Sequence, residues 1–279
     1  GRLCESGDGI NTAVLFVLFA LFVLISCSLG GTDSVKLSLV PSSWQGCYLI
    51  ILAASLNLVL GFLGQLSLGH CGFMAIGAYT AGLMSLAFQR AGVYDEKSGA
   101  VFIAIIFLCI IAAGLLAAVI GAVVSIPALR LKGDYLAIIT LGFGLIIVNV
   151  INNLPFAGQN GLAEGSASAS LYATGLGFGT AAKVTYIWVA LLVTIVCIVL
   201  MFMFIRSKYG RAVRAIRDDE IAASASGINS GYYQVLTFAC SAFFAGVAGA
   251  LYACSNSTLS TVSFSFTNGS ILNSTFVVV

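Results

Sequence analysis

The sequence predicts an all-α, polytopic integral membrane protein, and three observations support this fold class. The 279-residue chain is 60% hydrophobic and only 8% charged, whereas soluble domains are about 45–50% apolar and about 25% charged. Apolar runs of about 20 residues, enough for a helix to cross a hydrocarbon core of about 30 Å, recur along the chain. The sequence shows no alternating β-barrel pattern, so we expect the spans to be helices that satisfy their own backbone hydrogen bonds in lipid.

The apolar runs predict about eight membrane spans within a single transmembrane domain that covers residues 1–279. Polar residues, Gly or Pro separate the runs, which occupy residues 13–29, 44–63, 66–88, 100–126, 135–151, 184–205, 233–253 and 263–279. The first residue is Gly rather than Met, and the last run continues to the final residue. We therefore expect both ends of the chain to be truncated.

The beginning of the third run predicts a broken or cavity-lining helix near residues 61–72. Small and polar residues interrupt otherwise apolar sequence there, namely Gly61, Gly64, Gln65, Ser67, Gly69 and His70. Polar groups at membrane depth are costly and normally face a cavity or a neighbouring helix. A plain lipid-facing helix is therefore not expected at this position.

The positions of Lys and Arg predict the orientation of the spans. With the N-terminus in the cytoplasm, the basic residues inside are Arg2, Arg130, Lys132, Arg206, Lys208, Arg211, Arg214 and Arg217, and those outside are Lys36, Arg90, Lys97 and Lys183. This excess inside agrees with the positive-inside rule. The segment 206–230 is then cytoplasmic, and residues 152–183 form an extracytoplasmic loop that would face an external partner.

The cytoplasmic segment 206–230 contains the densest cluster of charge, and the order of its charges predicts two short helices. Basic residues come first and acidic residues follow, so in one continuous helix Arg214 and Asp218 would pair in the less favourable i, i+4 order. A separate helix over residues 211–217 places its cations near a C-terminal end, where the helix dipole favours them. The alternative is an ordinary loop whose basic residues only set the topology.

A second short helix is predicted directly after the acidic residues. Either Asp218 or Asp219 is suited to the N-cap, with Glu220 in the first turn. Gly227 is suited to the position just after the C-terminus, where a left-handed residue ends many helices. The small, neutral face of this helix could fit into a cleft on another protein, and it consists of Ala222, Ala223, Ala225 and Ser226.

Three blocks of sequence point to a family. They are residues 56–79, residues 129–144 followed by 159–161, and residues 210–228 followed by 244–252. In this order they resemble the membrane-spanning permease subunits of branched-chain amino acid (LIV-type) ABC importers, on the LivM-type side of the pair. The resemblance implies a multi-pass subunit in the cell membrane that moves branched-chain amino acids, or a related solute such as urea or an amide, by alternating access.

The same resemblance implies partners and a coupling role for the cytoplasmic segment. The expected partners are a second homologous permease, two ATP-binding subunits, an extracytoplasmic solute-binding protein and membrane lipid. In such permeases a cytoplasmic acid-Ala-Ala…Gly pattern forms the coupling helix that contacts the ATPase, and here Ile221 is an extra residue after the acid. The candidate ATPase-coupling residues are Arg211, Arg214, Arg217, Asp218, Asp219, Glu220, Ala222, Ala223 and Gly227.

The polar residues around the predicted break are the candidate substrate path, namely Asn57, Gln65, Ser67, Gly69 and His70. The alternative is that Ser67 or His70 only satisfies backbone groups that the break sets free.

Other functional classes are not favoured by the sequence. It has no G-x-x-x-x-G-K-[ST] phosphate loop, so ATP and Mg are expected on separate ATPase subunits and no cofactor in this chain. No catalytic constellation indicates an enzyme. The eight cysteines form no CxxC pair, so no metal site is expected. The net charge of +2 does not indicate nucleic acid. The main alternative is an ion-coupled secondary transporter or channel, although the predicted spans hold no ionisable residue in mid-span beyond His70.

Overall fold

Helices make up nearly all of the part of the chain that the structure, a computed structural model, describes: residues 33–90, 99–128, 134–153 and 180–255, with 259 and 264. The helices are α1 (Asp33–Asn57), continued by a π-helical segment (Leu58–Leu63), α2 (His70–Arg90), α3 (Gly99–Ala128), α4 (Asp134–Asn153), α5 (Thr180–Arg206), α6 (Lys208–Asp218), α7 (Glu220–Ala225) and α8 (Ser230–Ser255). No strand occurs within these residues. The all-α prediction is confirmed.

Four stretches of these helices are long and apolar enough to cross a membrane. They are Trp44–Leu63, Ile103–Pro127, Ile187–Arg206 and Ser230–Ser255, and Tyr135–Ile151 is a shorter apolar helix. The predicted runs 13–29 and 263–279, and the central part of the predicted loop 152–183, lie outside the residues for which helices are described. The described helices therefore agree with a polytopic membrane protein but do not test the predicted number of eight spans.

The third predicted run needs a correction. The predicted run starts at Leu66, but α2 begins only at His70, and residues 64–69, which lie within the predicted break, are not helical. The break is also narrower than the predicted 61–72, because residues 61–63 still belong to the π-helical segment. Gly64 ends that segment in the left-handed conformation, with φ of 73°, which glycine adopts without the steric cost of a side chain. Apolar composition could not reveal this end, since Leu66 is apolar but not helical.

The centre of the bundle is α8, which packs against α1, α2 and α3. Residues 244–254 are all buried. Glycines allow the close approach: a Cβ on Gly77 of α2 would overlap backbone atoms of Gly246, and one on Gly249 would overlap backbone atoms of Met74. Small residues at such spacing let helices in lipid approach closely. These glycines therefore have a packing role in the bundle.

The outward surfaces of α3, α4 and α5 are apolar. Exposed large side chains include Leu115, Val119 and Val123 on α3, Ile146 and Val150 on α4, and Val196, Val199 and Met203 on α5. An outer surface as apolar as the packed core beneath it is suited to lipid or to another membrane helix.

Candidate functional site

Hydrogen bonds from backbone N–H groups fix the non-helical break between the π-helical segment and α2. The N–H groups of Gly64 and Gln65 both donate to the carbonyl of Val59, the latter over 3.2 Å. Residues 65–69 then pass beside α4, where the N–H of Leu68 donates to Thr140 Oγ1 over 3.2 Å. Gly69 lies so close to α4 that a Cβ there would overlap the carbonyl of Thr140. The break is therefore a packed, defined segment.

This segment reverses the direction of the chain, so that α2 begins beside α1 and not beyond the end of the π-helical segment. The His70 Nε2 atom lies 2.7 Å from Ser55 Oγ. Ser55 precedes Leu63 by eight residues and lies well inside the apolar stretch Trp44–Leu63. The first turn of α2 thus lies at membrane depth, as in proteins whose discontinuous helices meet at a solute site.

His70 is held in a buried hydrogen-bond network. The Ser55 hydroxyl donates to the carbonyl of Leu52 over 2.8 Å, which uses its single hydrogen, so His70 Nε2 is the donor toward Ser55 Oγ. The Ser241 hydroxyl of α8 donates to the carbonyl of Ser55 over 2.6 Å. His70 is only 3% exposed. In this conformation His70 and Ser55 tie α1, α2 and α8 together.

Gln65 and Ser67 differ from the other predicted path residues, because each has a buried polar atom without a partner. Among the described residues, Gln65 Oε1 and Ser67 Oγ are buried and make no hydrogen bond, and Ser67 is 2% exposed. Leaving such an atom unsatisfied costs about 1–3 kcal/mol. The break therefore holds unused hydrogen-bonding capacity that a solute or water could satisfy.

The five predicted path residues thus have different environments. Gly69 and His70 are in tight protein contacts. Asn57 is exposed, and its side chain lies against Gly61. Of the five, only Gln65, which is half-buried, and Ser67, which is buried, have a buried side-chain oxygen without a hydrogen-bond partner.

The segment 206–230, predicted to be cytoplasmic, forms two short helices, as its charges predict. The first, α6, starts at Lys208 and not at residue 211, because Ser207 caps it: Ser207 Oγ accepts from the N–H of Gly210 over 3.4 Å. Asp219 connects both helices, since its N–H donates to the carbonyl of Ala215 over 3.1 Å while its carboxylate caps α7.

The cap of α7 resolves the choice that the sequence left open. The N-cap is Asp219, whose Oδ1 accepts from the N–H groups of Ile221 and Ala222 over 2.8 and 3.1 Å. At the other end Gly227 is left-handed, with φ of 83°, and the N–H of Ile228 donates to the carbonyl of Ala223 over 3.1 Å. This is the hydrogen bond of a Schellman motif, which ends a helix firmly.

The two faces of α7 differ from the prediction at one position. Ala223 is 4% exposed and points into the protein, so the predicted neutral face cannot offer it to a partner in this structure. Ala222, Ala225 and Ser226 are exposed. Ile221 is 79% exposed, although sequence reasoning treated it only as an extra residue in the pattern. The outer face of α7 therefore presents one large apolar side chain, Ile221, among the small side chains of Ala222, Ala225 and Ser226.

The inner face of α6 packs against the π-helical segment that precedes the break. Val213 is fully buried in a cluster with Val59, Leu63, Leu136 and Phe238. The Arg214 guanidinium carbon lies 5.3 Å from the Phe62 ring centroid, within the range of a cation–π interaction. Arg217 Nη1 donates to the carbonyl of Gly61. The other predicted coupling residues lie outside these contacts: Arg211 and Asp218 are exposed, and Glu220 is half-buried.

Several residues that position this site carry no sequence signal. Ser55 and Ser241 are 186 positions apart, and nothing in their local sequence joins them.

The N-cap Ser207, in contrast, could have been predicted, because a serine at the start of a helix after a span is a typical N-cap. Among the described residues no cluster of His, Cys, Asp and Glu could hold a metal ion.

Comparison with known proteins gives one family. A family model described as "Branched-chain amino acid transport system / permease component" matches residues 39–278. The chain is 34% identical to the high-affinity branched-chain amino acid transport system permease protein LivM of Escherichia coli (strain K12), over 93% of this chain and 62% of that protein. The LivM protein of Salmonella typhimurium is 32% identical over the same shares.

A more distant relative is the probable branched-chain amino acid transport permease protein LivM of Methanocaldococcus jannaschii, which is 25% identical over 75% of this chain and 65% of that protein. The chain spans somewhat less than two thirds of the length of these curated relatives. No solved structure matches it.

Proposed function

The chain belongs to the family of branched-chain amino acid transport system permease components, and from this premise we propose that it is a membrane-spanning subunit of an ATP-binding-cassette importer. Its relatives are named as branched-chain amino acid permeases. The observation that carries the proposal is α7, a helix capped at both ends with an exposed apolar residue, in the short segment that connects the apolar helices α5 and α8. A helix with these properties is suited to bind a second protein.

In this proposal α7 is the coupling helix. Separate ATPase subunits, two in number, bind ATP and Mg, and α7 sits in a cleft on one of them. Asp219 ends α6 and begins α7, so a displacement of α7 is transmitted to α6 without a flexible linker. A second homologous permease and an extracytoplasmic solute-binding protein complete the importer, the latter supported by the predicted external loop 152–183. The apolar surfaces of α3 to α5 face lipid or the second permease.

The segment 64–69 is proposed to line the solute path. Gln65 Oε1 and Ser67 Oγ support this, since they are buried polar atoms without partners beside a helix that begins at membrane depth. Both groups are uncharged, which suits a zwitterion such as a branched-chain amino acid and would also suit urea or another amide. The selection between these substrates rests with the solute-binding protein as well as with the path.

The function is tested by reconstituting the full-length subunits in liposomes. We expect uptake of labelled leucine, isoleucine or valine that requires ATP, the ATPase subunits and the solute-binding protein together. Uptake driven by a proton or sodium gradient without ATP would contradict the proposal and favour a secondary transporter. Uptake of urea but not of leucine would keep the importer and change its substrate.

The path proposal predicts an unusual combination for Ser67→Ala: lower transport with equal or higher stability. The substitution removes a buried hydroxyl that has no partner, so the free energy of unfolding should not fall. If Ser67 Oγ bonds the moving solute, the loss of that bond, about 1 kcal/mol, should reduce the uptake rate roughly fivefold. Initial uptake rates and thermal melting in detergent measure the two effects.

Ser125→Ala is the matched control. Ser125 is also a buried serine, but it lies within the helix α3 and its hydroxyl donates to the carbonyl of Ala122 over 2.8 Å. Its replacement should leave uptake unchanged. Wild-type uptake by Ser67→Ala would show that Ser67 does not line the path.

A further inference from the structure

The last turn of α6 touches the end of the π-helical segment through one side chain. Arg217 Nη1 donates to the carbonyl of Gly61, a contact between residues 156 positions apart. The stem of the same side chain crosses Gly64, where a Cβ would lie 3.0 Å from Arg217 Cγ. A glycine at position 64 thus serves two needs, the left-handed backbone and the space for Arg217.

The carbonyl that Arg217 binds needs a donor from outside its own helix. The last carbonyls of any helix lack partners within it. Here the N–H groups of Gly64 and Gln65, which could have bonded later carbonyls, both bond Val59. A guanidinium is well suited to such an end, since it adds a hydrogen bond and a positive charge at the negative pole of the helix dipole.

Arg217 is also rigidly connected to α7. Only Asp218 and Asp219 separate it from Glu220, and Asp219 caps α7 while its N–H still bonds α6. One turn earlier, Val213 is buried against Val59 and Leu63. The contact therefore lies between a well-capped helix on the cytoplasmic side and the residues that directly precede Gln65 and Ser67.

We propose that Arg217 is a positioning residue that ties the α6–α7 unit to the end of the π-helical segment, so that movement of α7 moves the segment 64–69. This inference rests on the proposed importer function, and it reassigns Arg217, expected from the sequence to belong to the ATPase-contacting set, to a contact within the chain. Loss of the side chain then separates ATP hydrolysis from solute movement, whereas loss of an ATPase contact would reduce both.

The test measures ATP hydrolysis and leucine uptake together in liposomes that contain the full-length importer with its solute-binding protein. For Arg217→Ala we expect normal association with the ATPase subunits, hydrolysis within about twofold of wild type, and about tenfold less leucine moved per ATP. Arg217→Lys should retain at least about a third of the wild-type ratio, because a lysine stem still covers Gly64 and its ammonium can still donate to Gly61. Lys208→Ala removes an exposed cation from the first turn of the same helix and should keep the wild-type ratio.

Three results would overturn the proposal. They are wild-type rates of both hydrolysis and uptake in Arg217→Ala, a proportional fall of the two rates, and failure of this variant to assemble. The last two results would assign Arg217 to ATPase binding or to the fold. A lack of ATP-dependent uptake by the wild-type importer would instead contradict the permease function and the Arg217 proposal with it. A wild-type ratio in Arg217→Ala would contradict the Arg217 proposal alone.

Discussion

Replacing Gly77 by valine is expected to prevent the protein from accumulating in folded form. A Cβ at this position would lie only 2.7 Å from the carbonyl carbon of Gly246 and closer still to two other backbone atoms of the same residue. Backbone cannot rotate away as a side chain can, so α2 and α8 would have to separate. Overpacking in a core costs about 1–3 kcal/mol and occasionally more, and we expect about 3 kcal/mol or more here.

The neighbouring contacts leave no room for α8 to shift. Gly249 lies against Met74 and Ala78 of α2, and a Cβ on Gly246 would lie 2.6 Å from the Cβ of Ala117 on α3. Moving α8 away from α2 would therefore press it against α3. Expression followed by size-exclusion chromatography in mild detergent should show little monodisperse protein for Gly77→Val.

Gly142→Val is the control for this prediction. Gly142 also lies within an apolar helix, α4, but a Cβ there would meet nothing within 4 Å. Its replacement should change the free energy of unfolding by no more than about 0.5 kcal/mol, as at other unconstrained positions. Equal yields of the two variants would contradict the close crossing of α2 and α8.

Local signals in the sequence predicted the parts of this structure that depend on neighbouring residues. The N-cap was narrowed to Asp218 or Asp219, and Gly227 was identified, because an N-cap and a left-handed C′ residue act on the backbone within one turn. The break near residue 64 was identified for a similar reason, since several glycines and polar residues follow one another in apolar sequence. The family was indicated by ordered blocks over much of the chain, and the family model confirms it.

Contacts between distant segments were not predictable in this way. The hydroxyl of Ser241 donates to the carbonyl of Ser55, and Arg217 donates to the carbonyl of Gly61. Nothing in the sequence next to any of these four residues indicates its distant partner. The buried and exposed faces of α7 could not be predicted either. A helix of six residues is too short for the periodicity of its sequence to show which side is buried. Only packing against α6 and α8 decides that Ala223 is inside and Ile221 outside.

The exposure of Ile221 leads to the second prediction, that Ile221→Glu strongly weakens the association with the ATPase subunits. A side chain that is 79% exposed can be buried in a partner's cleft, which stabilises a complex by about 1.5–3 kcal/mol for an aliphatic residue. Glutamate would lose this contribution and place a charge in an apolar contact. We expect a loss of at least about 2 kcal/mol, or about 30-fold in affinity, measured by titrating the ATPase subunit onto the permease pair in nanodiscs.

Two further variants separate loss of binding from loss of structure. Ile221→Leu keeps the apolar contact and should retain association within about threefold. Ala223→Glu places a charge on the buried side of α7, so it should lower the thermal stability of the permease itself, whereas Ile221→Glu should leave it unchanged because Ile221 is exposed in the permease. Unchanged association for Ile221→Glu would mean that the ATPase does not bind the outer face of α7. Since α7 is the feature that carries the proposed coupling, that result would require another contact surface on the cytoplasmic side.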